Sequence, residues 1–315
     1  MNLQEETRCG YTISAQMKEA WAVQIELVQK LLEVCDKYGL KVYAEGGTLL
    51  GCVRHKGYIP WDDDIDVIMF RDDYEKLLDV AEKEFTHPYF MQSLRTEKNY
   101  PNGHAQLRKD GTAAIPREDP FMSGHQGIFI DVILYDAVPE LDNEEFQRRL
   151  RVADKMHEQL TMAARMEWCF MRPRKLFKCI KAWLKVKRKG YNKMFGEMED
   201  LFRHADYAEC PNYAPPCFLR TVFHTHLKKK EWYEGDVVML PFEDIMLPAP
   251  PKYEEVLIKE FGKDYMTPRQ IPATHNGFSV LDAHRSYKDV VPALRRQYWK
   301  EYPKYLLENL FPFLK

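Results

Sequence analysis

The sequence predicts a mixed α/β fold, because helical and strand-like hydrophobic patterns alternate along its first 140 residues. Three observations lead to this class: an amphipathic pattern over 14–38, a short apolar run at 65–70, and a second run, GIFIDVILYD, at 127–136. With 315 residues, the chain can bury a substantial core as one large domain or two modest ones.

The first elements follow from spacing and from the residues that flank them. Apolar side chains between Ser14 and Tyr38 recur every three or four positions, with Ser14 as a suitable N-cap and Gly39 as a stop. The segment LKVYAEGG then predicts a short strand that ends in a tight glycine turn. TLLGCVRHKG predicts a short helix, and DIDVIMF predicts the next strand.

The rest of the chain is predicted to surround this beginning. We expect a helix from Asp72 to Phe85, a third strand at 126–139 and mostly helix over 143–206. Proline-dense segments before Lys252 preclude long helices there. Residues 1–140 are therefore predicted to form the core with its N-terminal helix. Residues 141–315 are predicted to be a helical, proline-rich elaboration that completes this core rather than an independent domain.

Charge and cysteine usage limit the function classes. Lysine and arginine (46) nearly balance aspartate and glutamate (48), so nothing favours a nucleic-acid partner. No signal peptide and no run of about 18 uncharged apolar residues is present, so we expect a cytoplasmic protein, with attachment to the inner face of a membrane as a further option. The cysteines show no CxxC spacing and are predicted to be reduced thiols; they lie at 9, 35, 52, 169, 179, 210 and 217.

Four aspartates lead into the second strand. In an extended strand, Asp64 and Asp66 share a face, and Asp62 joins them if the strand begins early. Carboxylates about 7 Å apart on one face can bind a divalent cation from the same side, and hard oxygen ligands suit Mg²⁺ or Mn²⁺. An ordinary acidic surface turn is the alternative.

The third predicted strand carries an aspartate among apolar residues. Asp131 would be costly to bury without a partner, and a cation shared with Asp64 and Asp66 would compensate it. We predict that these three residues are the metal ligands. The alternative is a salt bridge from Asp131 to a buried arginine.

A glycine pair precedes the short second helix. Gly46 and Gly47 permit a tight turn with positive φ, and Thr48 can cap the helix that follows. Backbone N–H groups and the helix dipole would then face a single point, which favours a bound anion such as a phosphate. A glycine pair alone is weak support, but its position before an acidic strand strengthens the prediction.

The order of glycine turn and acidic strand resembles the nucleotidyltransferase superfamily, and more closely the LicD family, which includes fukutin and fukutin-related enzymes. The resemblance is carried by EGGTLLGCVRHKGYIPWDDDIDV at 45–67, GIFIDVILYD at 127–136 and FEDIMLPAPPKYEEVLIKEFGKDYMTP at 242–268. It implies a nucleotidyltransferase-like mixed sheet with flanking helices. Cys52 departs from the family pattern, in which alanine is more usual.

The resemblance implies a metal-dependent transferase. Such an enzyme moves phosphocholine or a similar phospho-alcohol from a CDP-activated donor, such as CDP-choline, to a sugar hydroxyl of a glycan, and it releases CMP. The glycan would be a cell-surface precursor, and a lipid-linked glycan, as in teichoic-acid or lipopolysaccharide assembly, is one option. Asp64, Asp66 and Asp131 would hold Mg²⁺ or Mn²⁺, with Asp62 as a further catalytic carboxylate. The rivals are a true nucleotidyltransferase and a non-catalytic glycan- or membrane-binding scaffold.

The residues between the glycine turn and the aspartates are candidates for phosphate binding. Arg54, His55 and Lys56 can reach phosphate oxygens, and the planar fork of Arg54 suits this best. The alternative is a solvated helix end with cations that complement the dipole. Trp61 could stack on a base or a choline methyl group, or it could simply pack beside the strand.

A polar segment at 104–112, HAQLRKDGT, precedes the third strand. Its Arg108 is a candidate for substrate binding at the border of the site. For His104, a surface loop is the favoured interpretation.

Residues 172–193 form a basic stripe: they contain ten lysines or arginines and no acidic residue. Apolar residues at helical spacing interrupt the charges, as in a helix that lies on an anionic membrane. We predict peripheral membrane contact here, or else a helix that packs its apolar side on the core and exposes its lysines. The apolar positions are Leu176, Phe177, Ile180, Trp183 and Leu184.

Overall fold

A computed structural model shows the mixed α/β fold that the sequence predicts. It describes residues 1–98, 100, 102–116, 124–164, 176–203, 210–216, 226–270 and 277–310. The helices of the described residues are α1 Ala15–Tyr38, α2 Gly46–Arg54, α3 Arg71–Glu84, α4 Glu144–Ala164, α5 Leu176–Lys189, α6 Tyr191–Asp200, α7 Tyr253–Phe261 and α8 Tyr287–Leu310. The strands are β1 Glu6–Arg8, β2 Tyr11–Ile13, β3 Tyr43–Ala44, β4 Asp66–Phe70, β5 Tyr89–Gln92, β6 Ala105–Lys109, β7 Ala113–Pro116, β8 Phe129–Val138, β9 Asn212–Ala214, β10 Lys228–Lys229, β11 Val238–Phe242, β12 Ile245–Ala249 and β13 Phe278–Asp282.

Helix α1 begins and ends where its flanking residues predict. The Ser14 side chain accepts a hydrogen bond from the Met17 backbone N–H, and Gly39 adopts a left-handed conformation with φ of 63° after the last turn. Its apolar stripe is fully buried against the sheet. The buried stripe includes Trp21, Leu27, Val28, Leu31 and Val34.

One mixed sheet organises the molecule around β8. Its order is β10-β9-β8-β4-β3, and β6 also pairs with β8 while β5 pairs with β6. Strands β4 and β8 are parallel, whereas β3, β6 and β9 run antiparallel to their neighbours. Both acidic strands that the sequence predicts therefore lie next to each other in the centre of the sheet, where their apolar residues are buried.

A second core lies between the helices that follow β8. Helices α4, α5 and α6 bury apolar side chains against one another and against the end of β8. Phe146 of α4 and Met194 of α6 are fully buried there. This confirms the helical prediction for the described part of 143–206.

Helix α5 contains most of the basic stripe, whose residues 172–175 lie outside the described ranges. The helix turns Cys179, Ala182 and Val186 inward. The prediction that the apolar stripe packs on the core is therefore wrong for most of it: Phe177 is 82% exposed, and Ile180 and Leu184 are also exposed. Helix α5 packs on α4 and α6 through the small side chains of Cys179, Ala182 and Val186. Its larger apolar side chains therefore face solvent.

The cysteines are not all reduced. Cys9, Cys35 and Cys52 are free thiols, but Cys179 is disulfide-bonded, which contradicts the expectation of thiols throughout. Across the described ranges, we find no helix with both the length and the apolar character that a membrane span requires.

Candidate active site

Asp66 and Asp131 lie side by side in the centre of the sheet. Asp66 begins β4, and its Cα pairs in register with that of Asp131 on the parallel strand β8. The Asp131 backbone N–H donates to the Ile65 carbonyl oxygen at 2.9 Å, which fixes this register. Because residues in register on neighbouring strands share a face, the two carboxylates project to the same side of the sheet.

The preceding aspartates lie in the loop that leads into β4. Ligand oxygens of Asp62, Asp63 and Asp64 gather within 4.8 Å of one another. Two side chains of α1 hold the backbone of this loop: Trp21 Nε1 donates to the Asp62 carbonyl at 3.1 Å, and Gln24 Nε2 donates to the Asp63 carbonyl at 2.8 Å. Strand β4 starts after Asp64, so Asp64 and Asp66 do not share a regular strand face.

The acidic residues act on one another electrostatically. Burial raises the pKa of Asp66 well above its usual value, and the charges of Asp64, Asp131 and Asp62 raise this pKa further. His104 opposes the shift. A divalent cation between these carboxylates would remove the repulsion and favour their ionised form.

Asp131 is bound by polar side chains of the β6 region. His104 Nε2 lies 2.9 Å from Asp131 Oδ1, and Gln106 Nε2 donates to the same oxygen at 2.7 Å. The interpretation of His104 as a surface-loop residue is therefore wrong. The alternative of an arginine partner for Asp131 also differs from what we find, because the buried Arg71 pairs with Asp136 instead.

Arg108 is linked to the Asp131 carboxylate by Gln106, which binds both side chains. Its side chain is only 2% exposed, and its guanidinium donates to the Gly127 carbonyl at 2.7 Å and to Gln106 Oε1 at 2.5 Å. It also lies over the Phe129 ring at 4.5 Å. A residue buried in this way can orient Gln106 and thereby Asp131, whereas direct contact with a phosphate would require an opening.

The glycine turn lies beside the aspartates. Gly46 has the predicted positive φ, 53°, and a Cβ at Gly47 would lie 2.5 Å from Asp62 Oδ2. The capping role predicted for Thr48 is wrong, because α2 begins at Gly46 with Glu45 as its N-cap residue. Thr48 Oγ1 accepts a hydrogen bond from the Asp66 backbone N–H at 2.9 Å, so it joins the helix to β4.

The predicted phosphate-binding residues cluster at the end of α2. Arg54 donates to His55 Nε2 at 2.9 Å and to the Tyr265 carbonyl at 2.8 Å, while Lys56 is exposed. Burial and the charge of Arg54 lower the pKa of His55 to about 4, so its ring is neutral at pH 7. Trp61 is half-buried and meets the His55 ring edge-on, with centroids 6.3 Å apart.

A second charged cluster lies behind the glycine turn, and the sequence did not reveal it. The Lys228 ammonium is completely buried, 3.2 Å from Glu45 Oε1 and 2.7 Å from Glu260 Oε2. Tyr135 also donates to Glu45 at 2.8 Å, and His226 Nδ1 lies 3.9 Å from Glu260 Oε1. A Cβ at Gly46 would lie 3.6 Å from Glu260 and 3.9 Å from Asp66, so the cluster adjoins the aspartates.

Opposing effects set the charges of this cluster. Burial alone would raise the pKa of Glu45, but the Lys228 charge, His226 and the Tyr135 hydrogen bond outweigh it, and the pKa is lowered. Burial dominates at Glu260 and raises its pKa. Burial also acts against the charge of Lys228, yet the two carboxylates raise its pKa. The ammonium thus remains charged between them.

The aspartates offer a better cation site than this second cluster. Glu45, His226 and Glu260 also have the spacing of a metal-binding set. The Lys228 ammonium already supplies a positive charge there. Around Asp66 the described neighbours are mainly acidic, and several oxygen ligands suit Mg²⁺ or Mn²⁺.

Two members of the second cluster could have been inferred from motifs. Glu45 opens EGGTLLG, and Glu260 lies in KEFG, two segments that carry the family resemblance. His226 and Lys228 lie in the unremarkable run HTHLKKK. Nothing in that run distinguishes the buried lysine from the exposed one beside it.

Comparisons with known proteins match the part of the chain that contains the glycine turn and the first acidic strand. A family model for the LicD/FKTN/FKRP nucleotidyltransferase domain matches residues 39–115. This range includes the glycine turn, α2, the aspartate loop and β4, and it ends before β8.

Several curated proteins are similar over parts of the chain. The lipopolysaccharide cholinephosphotransferase LicD of Haemophilus influenzae is 35% identical over 127 residues, which are 39% of this chain and 45% of that protein. The ribitol 5-phosphate transferase FKRP of Homo sapiens is 32% identical over 80 residues, or 22% of this chain and 16% of that protein. An uncharacterized protein of Rickettsia prowazekii is 38% identical over 73 residues, or 23% and 26%. The chain therefore spans less than half the length of these relatives.

Proposed function

Because residues 39–115 of this chain belong to the LicD/FKTN/FKRP family of nucleotidyltransferase domains, we propose that it transfers a phospho-alcohol from a CDP-activated donor to a sugar hydroxyl. Phosphocholine is the first candidate cargo, because the Haemophilus influenzae relative is named for cholinephosphate transfer. Ribitol phosphate is the second, because the human relative is named for ribitol 5-phosphate transfer.

One observation carries this proposal: Asp66 and Asp131 are in register on parallel strands beside a glycine turn. Asp64, Asp66 and Asp131 would hold Mg²⁺ or Mn²⁺, which supplies charge neutralisation on the donor diphosphate and on the leaving CMP. The turn at Gly46 and Gly47 begins α2 close to these carboxylates, where backbone N–H groups at the start of the helix would favour the donor phosphates.

The transfer breaks the bond between the alcohol-bearing phosphorus and the oxygen of CMP. A new bond forms from the same phosphorus to the sugar oxygen. The hydroxyl proton passes to a carboxylate of the cluster, for which Asp62 is a candidate, or to a phosphate oxygen. His104 and Gln106 hold Asp131 in place during this step, since both bind its Oδ1.

CMP release tests the proposal. The purified chain, with Mg²⁺ or Mn²⁺, is incubated with CDP-choline, CDP-ribitol or CDP-glycerol and with lipopolysaccharide or teichoic-acid glycans. We expect CMP release from one donor and its loss in Asp131→Asn. Pyrophosphate release from a labelled nucleoside triphosphate would instead indicate nucleotidyl transfer. Absence of both reactions and of metal binding would leave only a scaffold role.

Helix α5 supports attachment of the protein to an anionic membrane, where a lipid-linked acceptor would lie. Exposed Phe177, Ile180 and Leu184 lie on one side of the helix, with the exposed lysines 181 and 187 nearby. An apolar stripe flanked by cations complements anionic lipid headgroups.

Vesicle binding tests this attachment. The chain should sediment with phosphatidylcholine vesicles that contain phosphatidylglycerol, and less with phosphatidylcholine alone. Phe177→Ser combined with Leu184→Ser should abolish sedimentation. Val152→Ser, at an apolar position that is 50% exposed on α4, is the matched control. Equal sedimentation of the double variant and the wild-type protein would refute the membrane contact.

A further inference from the structure

A cavity of about 340 Å³ opens beside the candidate active site. Helices α3 and α6 form two of its walls, and the segments around 93–95 and 102–104 form the others. Its volume lies within the range of small-molecule sites, roughly 300–1,000 Å³. Neither the aspartates nor the glycine turn lines this cavity.

His104 connects the cavity to the aspartates. Its side chain lines the cavity, and its Nε2 lies 2.9 Å from Asp131 Oδ1. A ligand in the cavity would therefore lie one side chain away from the carboxylate pair. This distance suits a second substrate that must approach the donor phosphate but must not occupy its site.

The charged groups of the lining balance one another. Glu75 and Glu199 oppose Arg95 and Arg203. Arg95 forms an ion pair with Glu75, and Arg203 Nη2 lies 3.5 Å from the same residue. Glu199 is paired with the buried Arg71 at 3.2 Å. With this balance, the cavity favours neither an anionic diphosphate nor a cationic choline group.

The remaining lining supplies hydrogen bonds and two aromatic rings. The exposed amide of Asn192 can both donate and accept. Asn102 Nδ2 already donates to the Tyr100 hydroxyl at 3.1 Å, and Ser93 is only 3% exposed. Arg95 and Arg203 add further N–H donors. Tyr74 and Phe195 also line the cavity, with rings that are largely buried in the core, each 5% exposed. Paired charges, amides and rings together suit a neutral ligand that carries many hydroxyl groups.

We propose that this cavity binds a neutral sugar ring of the acceptor. The inference rests on the proposed function, because it assigns the acceptor to the side of the aspartates where His104 lies. Beyond the proposed function, it assigns the residues that bind the sugar and the class of sugar that they accept. Asn192 and Arg203 are exposed contacts for a ligand. Arg95 is also exposed, but it is paired with both Glu75 and Asp79.

Saturation-transfer NMR with neutral methyl glycosides tests the inference. The probes are the methyl glycosides of glucose, galactose, N-acetylglucosamine and N-acetylgalactosamine, with glucose 6-phosphate as an anionic comparison. We expect at least one neutral glycoside to bind and glucose 6-phosphate to bind more weakly. Asn192→Ala combined with Arg203→Met should weaken binding roughly tenfold, as expected for the loss of one or two hydrogen bonds.

Lys193→Ala is the matched control, because Lys193 is an exposed neighbour that does not line the cavity. It should bind the glycoside as the wild-type protein does. In the transfer reaction, the double variant should raise the KM for the acceptor and leave the KM for the CDP donor unchanged. A purely structural defect would change both constants and would lower the melting temperature.

The outcomes separate the two proposals. Undiminished glycoside binding by the double variant, tighter binding of glucose 6-phosphate, or no glycoside binding at all would overturn the cavity assignment. Binding of CDP-choline, measured on the same samples, tests the proposed function independently. Glycoside binding that depends on the cavity, without binding of any CDP donor, would retain the cavity and refute the transferase.

Discussion

Asp66 and Asp131 are Cα partners on two parallel strands, although 65 positions separate them in the chain. Parallel pairing places the two carboxylates at the same level of the sheet, and the loop of Asp62, Asp63 and Asp64 adds further acidic groups. Burial and like charges raise the pKa of Asp66, so this part of the core is held together at an electrostatic cost. Such a cost is typical of functional sites.

Asp66→Asn should raise the stability of the metal-free protein and lower its transfer activity. Asp66→Asn removes a carboxyl whose ionisation is opposed by burial and by the charges of Asp64 and Asp131, so it should raise the melting temperature of the metal-free protein. The same change should lower transfer activity on the order of 100-fold or more, since a metal ligand contributes several kcal/mol. Thermal unfolding with and without Mn²⁺ checks this: the wild-type protein should be stabilised by the ion and the variant should not.

Gly47→Ala should impair the site with little effect on the fold. The new Cβ would lie 2.5 Å from Asp62 Oδ2, the end of a side chain that can rotate away. We expect a small change in melting temperature but weaker Mn²⁺ binding, because Asp62, whose carboxylate lies within 4.8 Å of that of Asp64, must move. Gly196→Ala on α6 is the control, since its Cβ would have no neighbour within 4 Å and alanine favours a helix. Equal metal affinity in the two variants would contradict the role given to Gly47.

The sequence predicted the elements that depend on local patterns. Helix α1 has a capping serine, a terminal glycine and an apolar stripe, each of which acts within a few residues. Strands β4 and β8 were recognised as apolar runs that contain aspartates. The adjacency of these strands could be expected from the shared chemistry of Asp66 and Asp131, but their register could not.

Contacts between segments that are distant in the chain could not be predicted from the sequence. His104 belongs to a polar segment that reads as a loop, and only the pairing of β6 with β8 brings it to Asp131. Lys228 and Lys229 are chemically identical neighbours. The short strand β10 turns one to the interior and the other to solvent, as alternation along a strand requires.

Lys228→Met should destabilise the fold strongly. The carboxylates of Glu45 and Glu260 would lose the ammonium that compensates them, and breaking a buried ion pair in this way costs about 3–5 kcal/mol. Lys229→Met, at the exposed neighbour, should change the free energy of unfolding by less than about 0.5 kcal/mol. Urea denaturation measures both values. The double variant Lys228→Met, Glu260→Gln should recover part of the loss, because one uncompensated charge is removed.

His125 should make the stability of the protein depend on pH. The ring is buried, its Nδ1 accepts from the Gly127 backbone N–H at 3.1 Å, and its Nε2 lies 2.9 Å from Asp110 Oδ1. Burial lowers the pKa of His125 to about 4, even though Asp110 opposes this shift. The neutral ring is thus the form that the fold accommodates.

The direction of this pH dependence follows from the protons that the folded and the unfolded chain bind. Between pH 6.5 and about 4 the unfolded chain protonates His125 and the folded chain does not, so stability falls as the pH falls. The contribution of His125 to the slope of the unfolding free energy approaches about 1.4 kcal/mol per pH unit within this window. His55, whose pKa is also lowered to about 4, adds a contribution of the same sign that both variants keep. His125→Gln should reduce the slope, whereas His87→Gln should retain it. His87 binds the same Asp110 carboxylate at 2.9 Å but is 82% exposed. Urea unfolding at half-unit pH steps measures these slopes, and equal slopes in the two variants would refute the assignment to His125.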